Sequence, residues 1–239
     1  MKVYAIGNLK GGVGKTTATV NLAYSFSKLG KRILVIDLDP QCNCTPFFTK
    51  ANNQGFTVND VLLNPGSIKK AIYRTKYNNI DIIKGDTTIE AFPELFSLKT
   101  SLQAIEDAYD ICLIDTRPVF DNLTKNALYA ADVMLTPIKF DNFCRDNLAM
   151  VEDMYHLVME KNKSLEWKVF ANMTANGIAQ RTASIDLLAK HEYPFLESCI
   201  SRTTIADNAL NLYKPVMKHR SRSIIAKDFM DLAKELLEI

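Results

Sequence analysis

The sequence has no apolar run near the roughly 18–20 residues a membrane-spanning helix needs. It also has no internal repeat, low-complexity tract or linker rich in Gly, Ser or Pro. A soluble chain of one domain, residues 1–239, is expected. The opening Met1–Gly7 lacks the charged region, apolar stretch and cleavage site that a secretory signal sets in series. The five cysteines (42, 44, 112, 144 and 199) are an odd number. Together these point to free thiols in a reducing cytoplasm. Cys42-x-Cys44 has no nearby His or Cys to complete a zinc site, and the three histidines, 156, 191 and 219, are isolated. Net charge is only +2, so attraction to nucleic acid must come from a local patch.

What is present is an ordinary globular composition, 47% hydrophobic and 23% charged, long enough to bury a core without disulfides. Short, almost wholly apolar runs at Val3–Gly7, Ile33–Asp37, Ile80–Lys84, Ile111–Asp115, Val133–Ile138, Trp167–Met173 and Leu196–Ile200 read as strands covered on both faces. Amphipathic stretches at Thr16–Leu29, Leu123–Ala130, Asn147–Glu160, Thr182–His191 and Ile224–Leu237 read as helices. The alternation predicts an α/β fold, a doubly wound, mostly parallel sheet flanked by helices. Gln41–Asn79 is less regular and reads as loops with short helices.

After the first apolar run comes Lys10-Gly-Gly-Val-Gly-Lys-Thr-Thr17. Its glycines let successive backbone N–H groups turn toward phosphate oxygens, and the following helix adds its positive end. Lys15 is placed for the β- and γ-phosphates and the Thr16 hydroxyl for Mg²⁺. The general pattern, Gly, four residues, then Gly-Lys-[Ser/Thr], is not met: Gly7 lies further back and Lys10 is an extra lysine.

That variant resembles the deviant Walker A motif of the ParA/MinD family of P-loop ATPases. Ile33–Gln41, ending Asp-Leu-Asp-Pro-Gln, is similar to the family's second motif, and Tyr109–Pro118 to its Walker B strand. Ile200–Pro215 is similar, without a gap, to the segment that begins Ile-Pro-Arg and ends Lys-Pro. The likeness spans essentially the whole chain and is closest to the small ParA/Soj partition ATPases. It implies a nucleotide site of Lys10, Gly11, Gly12, Val13, Gly14, Lys15, Thr16, Thr17, Asn172 and Arg202. Lys10 would be the signature lysine that crosses a dimer interface to the partner's nucleotide. Thr16 would touch Mg²⁺, Asp39 and Asp115 would hold it through water, and Asp39 would position the attacking water. Asp37 is the alternative carboxylate; the resemblance favours Asp39, since Asp37 still lies in the apolar strand. Lys10, Lys15 and Asp39 are the catalytic set, because phosphoryl transfer needs positioning and charge neutralisation more than covalent participation.

Three positions depart from the family pattern. Arg117 stands where Walker B commonly continues with other residues, and reads as a surface or salt-bridged arginine or, more sharply, as a modifier of pairing or hydrolysis. Ser201 replaces the usual proline, and Ile205 an arginine implicated in DNA contact. From Ile200 to Lys227 six basic side chains face Asp207 alone, densest at Lys218-His-Arg220-Ser-Arg222. Lys214, Lys218, Arg220 and Arg222 are therefore the candidate DNA-binding residues. The final helix carries Lys227 and Lys234 against Asp228, Asp231, Glu235 and Glu238, so it reads as docked structure and not as a lipid anchor. The phosphate loop starts within the first dozen residues, so no helix-turn-helix domain is expected before it.

The resemblance implies a weak, partner-stimulated ATP hydrolase in the cytoplasm, associated with the nucleoid. It would dimerise on ATP with Mg²⁺ and bind DNA non-specifically. With a centromere-binding adaptor of ParB type it would partition plasmid or chromosomal DNA. A nucleoid-based ATPase positioning a protein cargo is the alternative, and a MinD-like regulator at a membrane a weaker one.

Overall fold

The computed structural model describes residues 1–50, 54–89, 94–141, 144–174 and 193–239. Among the described residues, eight strands form one sheet: β1 (Lys2–Ile6), β2 (Ile33–Asp37), β3 (Ile72–Arg74), β4 (Ile80–Ile83), β5 (Ile111–Asp115), β6 (Val133–Ile138), β7 (Glu166–Thr174) and β8 (Phe195–Ser201). Their order is β3-β4-β2-β5-β1-β6-β7-β8. All neighbours are parallel except the edge pair β3–β4, whose register sets Ile72 opposite Ile83 and Arg74 opposite Asp81. The helices are α1 (Lys15–Lys28), α2 (Thr45–Phe48), α3 (Val58–Leu63), α4 (Ile68–Ala71), α5 (Ser97–Gln103), α6 (Asn122–Ala130), α7 (Cys144–Met159), α8 (Thr204–Asn211), α9 (Val216–His219) and α10 (Ile224–Glu238).

Successive strand residues point to opposite faces, and both faces are dry. Val3, Ala5, Leu34, Ile36, Cys112 and Ile114 enter one core, closed by α3, α5, α6 and α7. Tyr4, Ile6, Ile33, Val35, Ile111 and Leu113 enter the other, closed by α1, α8 and α10. This is the doubly wound arrangement that the apolar runs predict. The expected helix Thr182–His191 lies outside the described residues.

The acidic C-terminal helix is docked, as its pattern implies: Ile225, Phe229, Leu232 and Leu236 are buried, while Ile239 lies past its end and is exposed. Its carboxylates have a structural use. Glu235 accepts hydrogen bonds from the backbone N–H groups of Glu197 and Ser198 (2.7 and 2.9 Å), and Asp228 accepts from that of Ser201 (2.9 Å). β8 is an edge strand, and these side chains satisfy amides that would otherwise lack sheet partners. The serine that replaces a proline at 201 supplies one of those donors.

Candidate nucleotide site

The carboxyl ends of β1, β2 and β5 meet where the chain skips over β5, with Ile6 beside Asp115 and Asp115 beside Asp37. Crevices at such reversals of strand order are where open α/β sheets bind ligands. The phosphate loop leaves β1 there. Gly12 and Gly14 have φ of +72° and +91°, and Gly14 is the N-cap of α1. Among the described residues no side chain caps α1, so its first N–H groups face the loop without a side-chain acceptor from them, as an anion site requires.

Lys15 is buried, 7% exposed, with Nζ donating to the carbonyls of Asn8 (3.1 Å) and Lys10 (3.2 Å). Burial lowers its pKa, opposed by the charges of Asp115 and Asp39. Thr16 Oγ1 donates to Asp115 Oδ2 at 2.7 Å, and Thr19 Oγ1 lies 3.2 Å from Asp115 Oδ1. Asp115 is wholly buried; burial, then the charge of Asp37, raises its pKa. Asp37 is also raised by burial, although the Thr45 N–H (2.8 Å) and hydroxyl (2.7 Å) both donate to its Oδ2. Asp39 sits at the rim, 9% exposed, with Oδ1 accepting from the Gln41 N–H at 2.9 Å. The charges of Asp115 and Asp39 act on buried Lys15, and that of Asp37 acts on Asp115. That donor set, hard oxygens with a threonine hydroxyl among them, fits Mg²⁺.

The structure brings Lys10, the loop, Thr16, Asp39 and Asp115 to one crevice. Asn172, at the end of β7, is buried and donates from Nδ2 to the Val13 carbonyl at 2.7 Å, so it braces the loop. Lys10 forms an ion pair with Asp141, its Nζ 2.8 and 2.6 Å from the two carboxylate oxygens. Arg202 is exposed just beyond β8, with its N–H on the Thr174 carbonyl. Arg117 pairs with Asp121, whose Oδ1 caps α6 through the Leu123 and Thr124 N–H groups, which is the salt-bridged of its two readings.

Lys214, Lys218, Arg220 and Arg222 are all exposed. Arg220 and Arg222 line a cavity of about 360 Å³ with His219 and Ile205. Asn21 of α1 reaches this segment, accepting from the Val216 N–H at 2.7 Å. Sequence reasoning did not single out Lys76, whose Nζ lies 3.5 Å from the Tyr213 carbonyl and which feels the charge of Lys214. It also missed Thr19, although a hydroxyl three residues after Thr16 falls on the same helix face. Asp141, 131 residues from Lys10, left no sequence signal. Among the described residues no group of three or more His, Cys, Asp or Glu side chains is arranged to hold a metal ion, and Cys42 and Cys44 are buried free thiols. No described helix is long and apolar enough to cross a membrane.

Residues 1–167 match a family model described as an AAA domain. The sporulation initiation inhibitor protein Soj of Bacillus subtilis is 30% identical, with 98% of each chain covered. The chromosome partitioning protein ParA of Caulobacter vibrioides is 29% identical over 99% of this chain and 94% of its own. An ATP complex of McdA from Cyanothece superposes with a TM-score of 0.86 at 21% identity, covering 100% of this chain and 97% of that one. A magnesium-bound cobyrinic acid a,c-diamide synthase from Mycobacterium smegmatis, with an ATP analogue, superposes at 0.84 and 22% identity, covering 100% and 95%. These two share the fold. The loop, the two following motifs and the full-length relatives agree: the chain belongs to the ParA/MinD family of deviant Walker A P-loop ATPases, beside the small ParA/Soj proteins.

Proposed function

We propose that this chain, a single P-loop domain, binds and slowly hydrolyses ATP with Mg²⁺, dimerises in doing so, and as a dimer binds DNA non-specifically to drive DNA partition. The observation that carries the reading is the 2.7 Å hydrogen bond from Thr16 to buried Asp115 before the uncapped N-terminus of α1. In this reading Thr16 would touch the metal and Asp115 would hold it through water. The loop from Gly11 to Gly14, with Lys15, Thr16 and Thr17, would receive the phosphates; Asn172 would hold the loop's shape, and Arg202 would lie toward the base. Mg²⁺ would supply positive charge to the phosphates there. Asp39, at the rim, would orient the attacking water, while Asp37 is committed to Thr45. Lys10 would complete the partner's site, so a nucleotide acts as a dimerisation switch.

The basic surface at Lys214, Lys218, Arg220 and Arg222 supports a DNA-binding role by phosphate neutralisation, doubled in a dimer. The hydrogen bond from Val216 to Asn21 ties that surface to the helix that starts at the phosphate loop. An adaptor of ParB type would stimulate hydrolysis, with the protein working on the nucleoid in the cytoplasm. The docked, acidic α10 speaks against a membrane role. DNA affinity measured without nucleotide, with ADP and with ATP over a salt series tests this. ATP should tighten binding, salt should weaken it steeply, and Lys10→Ala should lose the ATP effect. Equal affinity in all three nucleotide states would refute the reading.

A further inference from the structure

We propose that Asp141 is a latch that holds Lys10 within its own protomer and sets the threshold for dimerisation. The inference rests on the reading that Lys10 serves the partner's nucleotide. Asn8, which is 2% exposed, fixes the start of the phosphate loop against the end of β6: its Nδ2 donates to the Pro137 carbonyl at 2.8 Å, and its Oδ1 accepts from the Lys10 N–H at 2.8 Å. From Pro137 the chain runs on to Asp141, whose own carbonyl accepts from the Cys144 N–H at the start of α7. Two backbone anchors thus set the Lys10 stem and the Asp141 stem face to face.

The resulting pair is two-pronged, at 2.6 and 2.8 Å, and takes two of the three N–H directions of the ammonium. It is also breakable, because the two side chains are 30% and 28% exposed and solvent can replace either partner. Lys10 cannot keep both carboxylate contacts and also extend to a second protomer. Something must outbid the carboxylate. A nucleoside triphosphate on the partner carries several negative charges against the single charge of Asp141, and a diphosphate carries fewer. The latch therefore sharpens the difference between ATP and ADP and keeps nucleotide-free chains apart.

Sedimentation equilibrium in ATP and Mg²⁺ tests this on the full chain, with circular dichroism as the check on folding. Two such pairs open per dimer, and a part-exposed ion pair contributes a fraction of 1 kcal/mol to about 1 kcal/mol. Asp141→Ala should therefore lower the dimer dissociation constant about two- to thirty-fold. Asp141→Asn, which keeps the shape, should move the same way, and Asp141→Glu should return toward wild type. Nucleotide affinity at protein concentrations too low for dimers should not change. The double variant Lys10→Ala/Asp141→Ala should match Lys10→Ala, because a latch has no effect without its bolt. Folded Asp141→Ala and Asp141→Asn proteins that dimerise no more tightly than wild type would overturn the latch while leaving the role of Lys10 intact. Wild-type dimerisation by Lys10→Ala would instead remove the cross-interface role on which the latch depends.

Discussion

Alanine substitution along the phosphate loop should produce a graded series, because the three glycines face different surroundings. Among the described residues a Cβ at Gly11 would meet nothing within 4 Å, and its backbone is not in the left-handed region. Gly11→Ala should leave stability within about 0.5 kcal/mol of wild type. Gly12 also has open space, but its φ of +72° makes a side chain strained, costing about 1–2 kcal/mol. Gly14 adds a collision. With φ of +91°, its Cβ would lie 2.4 Å from Asn172 Nδ2, a side chain that is 2% exposed and bonded to the Val13 carbonyl. Making room breaks that buried hydrogen bond, for about 1–3 kcal/mol beyond the backbone strain. Gly14→Ala should thus lose about 2–5 kcal/mol, a large share of a typical domain's 5–15 kcal/mol. Urea unfolding of the three variants measures the series, and binding of a fluorescent ATP analogue should fall most at Gly14. A Gly14→Ala protein as stable as Gly11→Ala would refute the packing of Asn172 against the loop.

Other outcomes follow from the same geometry. Ser201→Pro removes the N–H that donates to Asp228 and should cost about 1–3 kcal/mol; in thermal unfolding, an unchanged midpoint would contradict that role. Asp115 holds its proton more tightly in the folded chain than in the unfolded one, so its contribution to stability is present at low pH and is lost as pH rises above about 4. Without metal, Asp115→Asn should therefore gain on wild type by at least about 1 kcal/mol between pH 5 and pH 8; a pH-independent difference in urea midpoints would contradict it. Arg117→Ala gives up its pair with Asp121 for about 1 kcal/mol or less and should leave steady-state ATP turnover unchanged. A changed turnover would return Arg117 to the site.

Seven of the eight strands were legible because parallel strands buried on both faces are unbroken apolar runs, and Ile33–Asp37, Ile111–Asp115 and Val133–Ile138 match to the residue. β3 was not, since three residues at an antiparallel edge, two half-buried and one exposed, carry no usable period. The phosphate loop was legible because its chemistry is local: glycines, a lysine and a threonine act within eight residues. What depends on distant pairs was hidden. Nothing in the run Pro137–Asp141 announces that its aspartate will meet Lys10. The acids of α10 were read by net charge alone, yet Asp228 and Glu235 are placed individually against the amides of β8. Lys76 approaches the basic segment only through the fold.

The dimer switch stands or falls on whether trapped ATP holds two chains together. Sedimentation velocity of Asp39→Ala with ATP and Mg²⁺, alongside a phosphate-release assay, reports both halves at once. Loss of the carboxylate that orients water should leave ATP bound and uncleaved, giving a stable dimer with ATP and a monomer with ADP. A monomer under both conditions, or phosphate release at the wild-type rate, would contradict the assignment of Asp39 and the switch built on it.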